Sequence, residues 1–176
     1  MDGHPAPDQR VGRPQDAAAL TRVLAEAFES YADWAPRGWS PRIALAEAQT
    51  WQFEERLRQP GYWALVAEAS EEAVGYVVLR QALTIEKPRQ PIPGAGHIWH
   101  LFVRPAWWGS GLAARLLEEA VVEARRREYS EIKLWTPRDN ARARAFYERE
   151  GWSRTGDTRY GPELDLELVE YRRVLP

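Results

Sequence analysis

The chain has 176 residues, 44% of them hydrophobic and 28% charged, with a formal net charge of -2 and no cysteine. Without cysteine there is no disulfide, thiolate zinc site or cysteine nucleophile, and the near-neutral charge argues against a general electrostatic grip on nucleic acid. A chain of this length buries roughly two-thirds of its unfolded surface in one core, and no internal repeat divides it, so one domain is expected.

Met1 to Arg10, with Pro5 and Pro7, has no apolar stretch. It is expected to be a flexible tail before a domain over residues 11–176, and neither a signal peptide nor a membrane anchor. No later apolar run approaches the ~20 residues of a spanning helix, so a cytoplasmic protein without membrane contact is expected. Asp16 then precedes Leu20, Val23, Leu24, Ala27 and Phe28, which predicts a capped first helix. Tyr31 to Pro41 contains Trp34, Pro36, Gly38 and Trp39, breaks both periodicities, and reads as an aromatic loop. Ile43 to Leu57 reads as a second helix, ended by Pro60-Gly61.

Tyr62 to Ala69 and Val74 to Leu83 are rich in strand formers, and the short Ser70-Glu71-Glu72 connection predicts an antiparallel hairpin. Lys87 to Gly96 is expected to be a Pro-rich loop, and His97 to Val103 a strand ended by Arg104-Pro105. From Gly109 to about Arg127, Leu112, Leu116 and Ala120 interleave with Ala113, Leu117, Val121 and Ala124, the wide apolar face of a long helix. A short strand over Glu131 to Thr136, a helix from Asn140 to Glu150 stopped by Gly151, and two strands over Trp152 to Thr158 and Leu164 to Val174 complete the chain. This order fits an α/β (α+β) fold: a mixed, mostly antiparallel sheet of about six or seven strands flanked by about four helices.

Gly109 and Gly111 stand at the mouth of the long helix. The first amides of a helix lack intrahelical acceptors and lie at the positive end of its dipole, and glycine lets an anion approach them. A tight strand-to-helix turn is the plain alternative. No GxxxxGK[ST] loop is present. Gly109-Ser110-Gly111-Leu112-Ala113-Ala114 satisfies a dinucleotide fingerprint formally, but the next strand ends Trp135-Thr136-Pro137 without the required acid.

FVRPAWWGSGLAARLLEEAV followed by LWTPRDNARARAFYEREGW resembles the GNAT superfamily of acyl-CoA-dependent N-acyltransferases. Val103, Pro105, Gly111 and Ala113 match the family's strand and pyrophosphate loop, and Asn140, Ala143, Phe146, Tyr147, Gly151 and Trp152 match its second segment. The resemblance implies a single-domain GNAT-like fold and acetyl-CoA held by Leu101, Phe102 and Val103, by the loop Trp108, Gly109, Ser110, Gly111, Leu112 and Ala113, and by Asn140, Ala143 and Tyr147. Trp108 departs from the family's Gln or Arg, which predicts weakened cofactor binding. Arg115, Arg144 and Arg149 are candidates for replacing the lost charge, with solvated helix faces as the plain alternative.

Acetyl transfer to an amine needs a neutral amine, an N–H donor for the oxyanion and a proton for the leaving thiolate. The resemblance implies Tyr147 as the acid, which its ordinary pKa of ~10 suits, and the Leu101 backbone N–H as the oxyanion donor. His97 occupies the position of the family's strand Glu; with an ordinary pKa of ~6.5 it is a candidate base, directly or through water. His97 and His100, three apart in a strand, are expected to face opposite ways, and no ligand cluster points to a metal.

The resemblance implies an acceptor beneath the connection between the first two helices, with Tyr31, Asp33, Trp34 and Trp39 holding a cationic or ring-bearing amine; a loop packed down as a hydrophobic lid is the plain alternative. Glu163, Asp165 and Glu167 share one face, either solvent or an acidic substrate wall. The expected function is acetyl transfer from acetyl-CoA to the primary amine of a small molecule or peptide; the alternative is a non-catalytic acyl-CoA-binding or regulatory module. Some relatives pair through sheet edges or C-terminal strands, which leaves a homodimer open.

Overall fold

The computed structural model describes residues 6–40 and 47–176. Among them, seven strands form one sheet: β1 (Asp8–Val11), β2 (Tyr62–Ala69), β3 (Glu72–Leu83), β4 (Pro91–Val103), β5 (Glu131–Pro137), β6 (Ser153–Gly161) and β7 (Leu166–Val174). Their order is β1-β2-β3-β4-β5-β7-β6, and every neighbouring pair is antiparallel except β4 with β5. Four helices flank it: α1 (Ala17–Glu29), α2 (Glu47–Leu57), α3 (Leu112–Arg126) and α4 (Ala141–Arg149). The first part of the helix predicted over Ile43–Leu57 lies outside the described residues. No described helix is long and apolar enough to cross a membrane.

The sheet is covered on both faces. Tyr76 and Val78 of β3 pack toward α1 with Leu20, Val23 and Phe53, while Val77 and Leu79 pack toward α3 with Leu116, Leu117 and Ala120. A strand buried on both sides needs an unbroken apolar run, which Val74–Leu79 supplies around Gly75. Tyr147 of α4 and Trp152 join the α3 side of the core.

Two expectations are corrected. Residues 8–10, expected within a tail, lie in β1, paired from Asp8↔Glu68 to Val11↔Leu65. Arg10 anchors this strand by donating from Nε to Glu68 and from Nη2 to Asp16, each within 2.9 Å. An edge strand with an exposed face carries no apolar alternation, so nothing in its pattern announces it.

The second correction is β4, which begins at Pro91 inside the expected loop. Pro91 pairs with Leu83 of β3, whereas the β4–β5 ladder starts only at Ala95, so Pro91 and Pro93 stand where β4 is paired on at most one side. Gly96 follows because a Cβ there would lie 2.6 Å from the Tyr129 ring and 2.9 Å from Ile132.

Parallel pairing of β4 with β5 runs from Ala95↔Glu131 to Ile98↔Leu134 and stops. Beyond it β4 stays on β3 as far as Val103, and β5 stays on β7 as far as Pro137. The sheet parts in its middle, opening a cleft of about 1340 Å³.

Candidate active site

The backbone on the β4 side of this cleft has a definite phase. Arg104 N–H donates to Val74 C=O at 2.9 Å, which marks a hydrogen-bonded pair with β3. Such pairs alternate in an antiparallel ladder, so Phe102↔Tyr76 and His100↔Val78 bond to β3, while Leu101 and Val103 direct their N–H and C=O groups into the gap. The Val103 carbonyl bears this out, accepting from Trp108 Nε1 at 2.9 Å on that side. The gap is thus edged by amides in the middle of a sheet.

The register of β4 shifts between Val78 and Leu79, because Leu79 pairs with Ile98 and Val78 with His100. Trp99 is the extra residue, and a bulge of this kind reverses the alternation beyond it. His97, paired with Arg80, and His100, paired with Val78, therefore lie on one face, contrary to the simple period-two expectation. His100 stacks on Trp99 at 3.9 Å, and its Nδ1 lies 3.1 Å from the Tyr76 hydroxyl. Burial, then Arg56 and Arg80, push its pKa down to about 3, so the ring is neutral at ordinary pH. The neutral ring and the Tyr76 hydroxyl share one hydrogen bond through Nδ1.

His97 is buried, at 6% exposure, and lines the cleft. Burial, followed by Arg80, Arg159 and Lys133, holds its pKa well below the ordinary histidine value. An imidazolium here would have to form among cations, out of water.

Past β4, Gly109 and Gly111 take φ of +81° and +80°, and nothing lies within 4 Å of a Cβ at either. The left-handed backbone, rather than crowding, is what calls for glycine. Gly111 caps α3, and its carbonyl accepts the first helical bond, from Arg115 N–H at 3.1 Å. Ser110 Oγ takes up the Leu112 amide at 3.3 Å, which leaves the amides of Ala113 and Ala114 without acceptors among the described residues. The Trp108 indole covers the side of this loop, and the Arg142 guanidinium from the first turn of α4 sits 3.6 Å above its ring. The result is an anion-receptive pocket with a cation at its rim.

Tyr147 enters the cleft from α4, whose N-terminus is capped by Asn140 Oδ1 accepting from Ala143 N–H at 3.0 Å. Phe146, Trp152 and Tyr171 surround its ring. Its hydroxyl makes no hydrogen bond among the described residues, and burial raises its pKa above the ordinary phenol value. It is a proton donor with no acceptor of its own.

Residues 24–152 match the family model described as the acetyltransferase (GNAT) family. The chain belongs to the GNAT family. An uncharacterised N-acetyltransferase of Archaeoglobus fulgidus is 39% identical over 83 residues, which is 47% of this chain; the match spans about half, 54%, of that relative. A GCN5-related N-acetyltransferase from Rhodopseudomonas palustris shares the fold at a TM-score of 0.73 and 20% identity, covering 98% of both chains. A PaiA N-acetyltransferase from Thermoplasma acidophilum, in complex with coenzyme A, shares it at 0.62 and 15% identity, over 96% of this chain and 99% of that one.

In this GNAT fold, Leu101, Phe102, Val103, Trp108, Gly109, Gly111, Leu112, Ala113, Asn140, Ala143 and Tyr147 all line the cleft. Ser110 does not; its hydroxyl donates to Trp107 C=O at 2.7 Å and braces the turn. Tyr31, Asp33 and Trp34 line the other half, whereas Trp39 donates from Nε1 to Leu164 C=O at 2.7 Å and packs behind Tyr31. No acidic wall forms, because Glu167 pairs with Arg138 and Asp165 accepts from the Tyr160 hydroxyl, leaving Glu163 alone of the three at the cleft. Arg115 is exposed on α3, away from the cleft, and Arg144 donates to Arg138 C=O at 3.0 Å. The cation beside Trp108 is Arg142 instead; its place two residues after Asn140, at the start of a helix, was the available signal. Arg149 also reaches the cleft, over Phe146.

Proposed function

We propose that this chain transfers an acetyl group from acetyl-CoA to the primary amine of a small molecule or peptide, by direct attack in a ternary complex. The observation that carries the reading is the parted sheet. One cleft joins the amides of Leu101 and Val103, the unbonded Tyr147 hydroxyl and the open amides of α3.

The roles follow from the chemistry. The amides of Ala113 and Ala114, with Arg142, suit a pyrophosphate, and the β4 edge suits an amide-bearing arm. Attack of the neutral amine on the thioester carbon forms the C–N bond and puts negative charge on oxygen, which the Leu101 N–H is directed to receive. As the C–S bond breaks, Tyr147 gives its proton to the sulfur and regains one from solvent. The amine sheds its extra proton to water, with neutral His97 as a hydrogen-bond acceptor in that path rather than a strong base.

The rate should accordingly show no histidine limb near pH 6.5: kcat/KM should rise with pH along the titration of the acceptor amine itself, measured across pH 5.5–9. Arg142→Ala should weaken acetyl-CoA binding about tenfold by calorimetry, the scale of one charge-assisted contact at a partly exposed site.

The reading is tested by titrating the chain with acetyl-CoA, free CoA and NADH, followed by an amine screen. Binding of both CoA compounds but not NADH, with turnover of some amine, is the expected result. CoA binding without turnover of any amine would favour the non-catalytic module, and no CoA binding would end both readings.

A further inference from the structure

We propose that the acceptor amine also carries an anionic group, a carboxylate or a phosphate- or sulfonate-type oxyanion, and that Arg80 and Arg159 bind it in the cleft wall beside His97. This rests on the acetyl-transfer reading of the same site and names the class of its second substrate.

Four arginines from separate parts of the chain line this half of the cleft: Arg56 of α2, Arg80 of β3, Arg89 before β4, and Arg159 of β6. None of them forms an ion pair with a described residue. The Nε atoms of Arg80 and Arg159 are shut off from solvent and have no hydrogen-bond partner. Both arginines are only partly exposed, and buried donors such as these Nε atoms are almost always satisfied in folded proteins. Burial lowers the pKa of both, and Arg89 lowers each further, so the group repels itself.

The nearest acids do not resolve this. Glu170 is taken by Lys133 at 3.4 Å and by the Thr155 hydroxyl at 3.0 Å, and Glu163 lies at the cleft without an ion pair to Arg159. Two of the arginines are held in place. The Arg159 guanidinium sits 4.6 Å over Trp135 and that of Arg56 4.5 Å over Trp99, which reduces the ordering cost of binding.

The cofactor's phosphates are poor candidates for these cations. His97 and Val103 are six residues apart on β4, roughly 20 Å of strand, and the glycine loop lies beyond Val103. Arg80 shares the α1 face with His97 and Val78, and Arg159 pairs with Leu168, two residues from Leu166, which packs on Leu24 and Phe28 of α1. Asp33, in the same half, remains available to the amine end of a substrate that carries both charges.

The test compares acceptors with and without the anionic group, each kcat/KM corrected for the fraction of neutral amine: amino acids against their amides, and 2-aminoethylphosphonate against ethanolamine. The wild type should prefer the anionic member at least tenfold in kcat/KM. In Arg80→Gln and Arg159→Gln that ratio should fall toward one, chiefly through KM, with acetyl-CoA affinity unchanged. A wild type indifferent to the anion, or a ratio that survives both substitutions, overturns the proposal. In parallel, inorganic phosphate and N-acetylglycine are titrated by calorimetry at fixed ionic strength, a readout independent of turnover. Binding that weakens at least tenfold in the variants supports the site; binding that is absent, or equal in all proteins, overturns it. Removing one of several mutually repelling charges should leave Tm level or raise it, and Arg→Lys at each position guards against misfolding. Lack of turnover with every amine would instead count against acetyl transfer itself.

Discussion

Tyr147→Phe should lower kcat by two to four orders of magnitude while the Kd for acetyl-CoA stays within about twofold, the range expected when a positioned general acid is removed. The substitution deletes one oxygen from a ring that Phe146, Trp152 and Tyr171 continue to hold, so packing is preserved. The hydroxyl has no hydrogen-bond partner among the described residues, so its loss leaves no buried group stranded, and Tm should be nearly unchanged. Burial raises the phenol's pKa, and the folded protein therefore keeps its proton throughout the neutral range. A thiolate leaving without that proton must depart at full charge into a partly enclosed cleft. Single-turnover kinetics with an active amine reads the effect, and unchanged turnover would remove Tyr147 from the mechanism.

Gly111→Val should weaken acetyl-CoA binding at least tenfold and lower Tm by several degrees. At φ +80° a β-branched residue is strained by about 1–3 kcal/mol, although nothing lies within 4 Å of its Cβ. The protein relieves the strain by rotating the loop, and this turns the Ala113 and Ala114 amides away from their shared direction. Gly111→Asn separates the two effects. Asparagine tolerates the left-handed region, so Tm should recover, while its side chain at the anion's approach should keep affinity below wild type. Scanning calorimetry and acetyl-CoA titration of both variants distinguish backbone strain from steric exclusion.

Local chemistry made much of this molecule legible in its sequence. The wide apolar face of Leu112–Ala124, the short helix from about Asn140 to Glu150 and the Tyr62–Leu83 hairpin each follow from interactions within a few residues, and each stands close to its expected bounds. The glycine-loop half of the cleft was legible through the family resemblance, since its residues fall in two short segments. What escaped depended on partners distant in the chain. Pro91 and Pro93 argue against a strand until β4 is seen to be paired on at most one side there. The extra residue at Trp99 brings His97 and His100 onto one face, and no periodicity announces a bulge. The four arginines on the His97 side of the cleft come from α2, β3, the segment before β4, and β6, so their convergence has no spacing to read.

A β-sheet ordinarily keeps its unpaired edges at its two outer rims, where they can be blunted or covered. Here the parting of β4 from β5 after Ile98 and Leu134 creates two further rims inside the molecule. Free chain therefore presents water with rungs that are missing their neighbour. A ligand bearing its own amides would act as a temporary rung, and its occupancy would be coupled to the cohesion of the two half-sheets. Any molecule that binds only the folded state raises stability with its concentration, so the supply of such a ligand would set the stability of the fold.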